Sequence, residues 1–189
     1  MPSLQAISNA LLPKLTGVLV QLGDKKAESY GDDNYRIVDV SPNSEPPGIS
    51  HYARTQGGLK VVDLYLAPWN HDPDAFEAAI KVTHGMDVEN VTWGMENEKI
   101  GNTWFLGGIL EVLIETLREL EVRELVGRPS GGNPSRTSDL TSFYKWMGFV
   151  DTGEKSKGLS VLMLHLNNQG SIRHAMAVAN DWLSRSDAW

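Results

Sequence analysis

Two stretches of this chain hold residues whose types and spacing could do chemistry. "GRPSGGNPSR" (127–136) places Arg128 and Arg136 around a Gly/Ser/Pro run. Such a run could cradle a phosphate on peptide N–H groups with two guanidiniums as helpers, or serve only as a flexible strand-to-helix loop. "FYKWMGFV" (143–150) sets two aromatics before Lys-Trp-Met and a single Gly. It reads as a helix stop feeding a strand, or as the place where a bound cofactor meets a proton donor. Other chemistries lack an anchor. His51, His71, His84, His165 and His174 show no metal-ligand spacing, so no metal is expected. The absence of Cys removes thiolate, disulfide and cysteine-metal chemistry. Neither a Gly-x-Ser-x-Gly elbow nor a Walker loop is present.

Elements must hold these groups in place, and 189 residues suffice for one domain with a sizeable core. Apolar residues at 41% and charged residues at 22% are ordinary globular usage. A net charge of −7 argues against sequence-independent nucleic-acid binding and suits a cationic acceptor through long-range attraction. The N-terminus does not read as a secretory signal, and no run is long enough for a membrane span. The expected setting is cytoplasmic, or assembled into a particle.

Apolar spacing from Leu4 to Leu22 predicts a helix over residues 3–22, kinked or broken at Pro13. "GDKKAESYGDDN" then reads as a polar loop. "YRIVDV" (35–40) reads as a short strand and "SPNSEPPG" (41–48) as a turn or loop. "ISHYART" and "LKVVDLYLAP" read as strands joined at Gly57-Gly58. Asp72-Pro73-Asp74 looks like the cap of a helix over 73–84, with Phe76, Ala79 and Ile80 on its apolar face. "VENVTWGME" (88–96) reads as a strand ending near Glu96 and Glu98. The stripe from Ile109 to Leu120 predicts a helix over 104–121, followed at once by a strand over 122–129. Ser138 or Asp139 would cap a short helix through Met147. "GFVDTG" and "LSVLMLHL" would form a hairpin around "EKSKG", and a C-terminal amphipathic helix would follow. Trp69 and Trp104 stand where a cleft could open, and Trp182 and Trp189 could anchor a protein partner.

From Leu106 to Leu166 the expected order is helix, strand, Gly-rich loop, short helix ending in Phe-Tyr-x-x-x-Gly-Phe, then hairpin. This resembles the C-terminal half of the GNAT (GCN5-related N-acetyltransferase) fold, with Tyr144, Gly148 and Phe149 at the family's spacing. The resemblance implies an α/β (α+β) fold: a mixed, mostly antiparallel sheet flanked by helices. It would form a single domain, 1–189, with an N-terminal helical extension (1–30) and a C-terminal helix and tail (167–189).

The resemblance also implies acetyl-CoA as cofactor and an amine-bearing substrate. Tyr144 would protonate the departing thiolate, and Glu96 or Glu98 would be the base. The cofactor's pyrophosphate would sit at the start of the long helix, on free N–H groups favoured by the helix dipole. Two registers of that loop are open. One, set by "LEVLIE", puts Trp104 and Leu106 at the family's small positions, with Gly107 and Gly108 two or three places late. The other uses "EKIGNT", with Gly101 and Thr103 in the small slots beside Asn102. Thr137 stands where the family often has an Asn that touches CoA. A second function is open beside catalysis: an inactive scaffold of this fold in a large assembly such as a virus particle. It would associate through the N-terminal helix and the Trp-containing tail.

Overall fold

The structure is a computed structural model and describes residues 2–69, 72, 74–82, 100–130, 134–146 and 148–184. It bears out the expected class: a seven-stranded, mostly antiparallel sheet with helices. In chain order the elements are α1 (Leu4–Tyr30), β1 (Ile37–Glu45), β2 (Gly48–Thr55), β3 (Lys60–Pro68) and β4 (Ala75–Val82). They continue as α2 (Ile100–Glu119), β5 (Glu124–Gly127), α3 (Pro134–Trp146), β6 (Val150–Ser156), β7 (Leu159–His165) and α4 (Gln169–Ser184). The strands lie in the order β1-β2-β3-β4-β5-β7-β6, and β4 and β5 run parallel.

Several boundaries differ from expectation. The helix expected over 73–84 is not what its described residues form. Ala75–Val82 is β4, paired antiparallel with β3 from Val62↔Val82 to Pro68↔Phe76. Ala and Glu favour helices, and Phe76, Ala79 and Ile80 fit a helical face. The same residues also alternate, with Phe76, Ala78 and Ile80 in the core. The central place between β3 and β5 selects the period of two. Asp72 closes a turn instead of a helix: its Oδ1 accepts the Asp74 N–H at 2.8 Å. The expected strand at 88–96 lies outside the described residues.

Helix α1 runs through Pro13 and on to Tyr30, across residues read as a polar loop. The cost of an internal proline, about 3 kcal/mol, is outweighed by its apolar side. Ile7, Leu11, Leu15 and Leu19 are fully buried in one cluster with Leu64, Leu66, Leu113 and Leu117. The α1 stripe, read from sequence as a surface for association, is therefore buried within the chain. β1 extends to Glu45 through Pro42, which an edge strand tolerates because one side of its backbone needs no ladder bond. α1 packs on β1, β2 and α2, and α2 packs on β4 and α4.

One polar contact lies inside this core. Ser8 on α1 and His51 on β2 meet at 2.8 Å through Oγ and Nε2, and His51 Nδ1 lies 3.3 Å from the Leu64 carbonyl oxygen. Nδ1 therefore donates to the carbonyl and Nε2 accepts from the hydroxyl. Burial lowers the His51 pKa below its ordinary 6.5. The unfolded chain then takes up a proton that the folded chain resists. Stability from this group is complete above pH ~6.5 and falls as pH drops toward the lowered value, by at most ~1.4 kcal/mol per pH unit. Urea unfolding at pH 7.5 and 5.5 should show this loss, and His51→Gln should flatten the slope in that window.

Candidate functional site

The site forms where β4 and β5 part company. Their parallel pairing covers only Ala75↔Glu124, Phe76↔Leu125 and Glu77↔Val126. β5 ends at Gly127, while β4 continues to Val82 beside β3. The Trp69 N–H donates to the Ala75 carbonyl, so alternate residues from Ala75 turn their peptide groups toward β3. The peptide groups of Ile80 therefore point to the β5 side, where no described strand pairs with them. Among the described residues this leaves an opening between β4 and the end of β5; residues 88–96, read from sequence as a strand before α2, lie outside the described residues.

Tyr144 stands at this opening. A Cβ built on Gly127 would lie 2.7 Å from its ring, so the ring rests directly on the β5 backbone. Phe149 meets it edge-on, with centroids 5.0 Å apart. The helix stop read from sequence fixes this placement. Gly148 has φ 105°, and the Gly148 and Phe149 N–H groups donate to the Lys145 and Tyr144 carbonyls. Burial, and then the nearby Glu77 carboxylate, hold the Tyr144 hydroxyl pKa far above 10, so it stays protonated at neutral pH.

Beyond the opening lies a cleft of about 470 Å³, lined by Tyr65, Trp69, Glu77, Arg128 and the β6–β7 hairpin residues Glu154 to Lys157. Glu77 is the last paired residue of β4, and Arg128 is the first residue after β5. They form a two-toothed ion pair, Nε to Oε1 at 2.5 Å and Nη2 to Oε2 at 3.0 Å. Arg128 Nη1 also reaches Ser156 Oγ at 3.3 Å, and its guanidinium lies 5.7 Å from the Trp69 ring centroid. Arg128, read from sequence as a phosphate helper, is thus committed to Glu77.

The remaining residues singled out from sequence fall as follows. α2 begins at Ile100, four residues before the expected start, so Gly101, Asn102 and Thr103 lie in its first turn. Gly107 and Gly108 lie in the third turn, where N–H groups are spent on carbonyls one turn back. Thr137 is in the first turns of α3, its carbonyl accepting from the Thr141 hydroxyl. Glu96 and Glu98 lie outside the described residues, as does the tail from residue 185. Glu77, Tyr65 and Gly127 were not singled out. Glu77 was assigned to a helix, and a glycine that accommodates a ring carries no local signal.

No family model matches the chain, and no curated protein matches it. Solved structures do resemble it. A GNAT-family acetyltransferase from Staphylococcus aureus Mu50 is 14% identical over 85% of this chain and 93% of its own, with a TM-score of 0.40. The CoA-dependent acyl-homoserine lactone synthase BjaI, solved with SAM and isopentyl-CoA, is 12% identical over 96% of this chain and 93% of its own, with a TM-score of 0.41. A protein from Acinetobacter baylyi ADP1 described as an acetyltransferase is 15% identical, with a TM-score of 0.40; the match spans 65% of each chain.

Two variants probe the geometry. Gly127→Ala forces the Tyr144 ring off β5 and should cost about 1–3 kcal/mol, the usual toll of overpacking; a urea titration measures it. Arg128→Ala strands the Glu77 carboxylate, which is only 13% exposed. It should destabilise by about 3 kcal/mol, whereas Glu77→Gln with Arg128→Met should recover most of that loss.

Proposed function

We propose that this chain is a CoA-dependent acyltransferase of the GNAT type, moving an acetyl group from acetyl-CoA to an amine. The observation that carries this reading is the β4/β5 opening, with Tyr144 seated on the last residue of β5. The residues fit the cofactor. Ile80 offers peptide groups on an unpaired edge for the amides of a pantetheine arm. The first turn of α2 offers N–H groups with no acidic residue within it, at Gly101, Asn102 and Thr103, for a pyrophosphate. Thr137 is a further candidate contact.

Acetyl-CoA supplies an activated carbonyl. A new C–N bond forms as the C–S bond breaks, and the amine's proton leaves to a base. Tyr144 keeps its proton in the buried opening, and its hydroxyl would donate to the departing sulfur. A raised pKa makes full transfer costly, so the contribution of Tyr144 is a strengthening hydrogen bond that passes the proton late. Glu96 and Glu98 remain the proposed bases. Glu77 lies where the β4–β5 pairing ends, but both of its oxygens are held by Arg128.

Calorimetric titration with acetyl-CoA tests the reading: binding in the micromolar range is expected, and no binding at millimolar cofactor would overturn it. Tyr144→Phe should lower turnover about 10²-fold and leave acetyl-CoA affinity unchanged. Unaltered turnover removes Tyr144 from the acid role.

A further inference from the structure

The cleft beyond the opening differs in charge from the protein that holds it. The chain carries −7. The cleft is lined by Arg128, Lys155 and Lys157 against Glu77 and Glu154. Arg128 and Glu77 satisfy each other, which leaves the hairpin to set the local field. Lys155 and Lys157 make no ion pair within 4 Å among the described residues, although Lys155 helps hold the Asp151 carboxyl below its usual range from a distance.

The hairpin is built to present these amines. Lys157 and Gly158 form its two-residue turn with φ of 52° and 79°. Such a turn ordinarily takes Asn-Gly or Asp-Gly, and a lysine in the left-handed region is uncommon. Arg128 Nη1 ties Ser156, between the two lysines, to the end of β5. The hairpin is thus fastened to the sheet where the lysines face the cleft. The β3 side of the cleft is apolar, with Tyr65, Ala67 and Trp69, and Val161 of β7 adds to it.

We infer that this cleft takes an amine that also carries an acidic group, an amino acid or similar small molecule, with Lys155 and Lys157 holding the acid and Trp69 the apolar body. The inference deepens the acyl-transfer reading and rests on it for the role of the amine. It departs from the cationic acceptor that overall charge suggests, because a ligand in the cleft meets the hairpin at contact distance. The net charge acts from farther off, through screening salt.

The test compares matched pairs by calorimetry on the full chain: L-phenylalanine against 2-phenylethylamine, and L-methionine against 3-(methylthio)propylamine. Each acid should bind at least tenfold more tightly than its decarboxylated partner. Lys155→Gln with Lys157→Asn, which suits the left-handed turn, should erase the difference and leave acetyl-CoA affinity unchanged. Lys155→Glu should reverse it. Equal binding within each pair, no binding by either acid, or discrimination that survives the double substitution overturns the inference. A parallel acetyl-CoA titration separates the two readings. If the acids bind selectively and acetyl-CoA does not bind, the ligand class stands and the acyl-transfer reading falls. If acetyl-CoA binds and the acids do not, the reverse holds.

Discussion

A seam of three residue pairs between β4 and β5 is the constraint on which the rest of this molecule depends. It joins two antiparallel units, β1 to β4 and β5 to β7, each paired strand to strand. A parallel pair between central strands is ordinarily buried and continued. Here the described pairing stops after Glu77 and Val126, and the peptide groups of Ile80 face a side of β4 where no described strand lies. Unpaired peptide groups are costly in a protein interior.

The seam is reinforced at its open end from both faces. On one face Glu77 and Arg128 clasp across the point of divergence, and Ser156 and Trp69 complete the guanidinium's surroundings. On the other side the Tyr144 ring packs against Gly127, backed by Phe149. The charge pair stabilises little beyond what its desolvation costs. What it supplies is position, since a planar guanidinium held through two nitrogens fixes both strands and the hairpin in one orientation.

Much of this was legible in the sequence, and the misses have definite causes. The Phe-Tyr-x-x-x-Gly-Phe spacing located Tyr144, because Gly148 is a stop enforced by backbone geometry and leaves a local mark. The Gly57-Gly58 hairpin and the stripe of α2 were readable for the same reason. β4 was misread because its Ala and Glu residues favour a helix, and only the neighbours on both sides make it a strand. That error hid Glu77. The Gly127–Tyr144 contact joins positions on different elements and leaves no periodic trace. The extension of α1 past Leu22 was obscured by polar residues, yet Lys26 and Ala27 are buried there.

The seam also bears on how the molecule assembles. β1 to β4 are linked by short turns, so their contacts are local and close early. Ala75 and Glu124 lie about fifty residues apart in the chain and must be brought together across all of α2. Closing so long a loop costs entropy before any contact repays it. The joint that creates the site is thus a late event in folding. A chain that has formed its helices and hairpins but not this joint would have most of its secondary structure and not the Glu77–Arg128 clasp, so the closing of that clasp would report the final step of assembly.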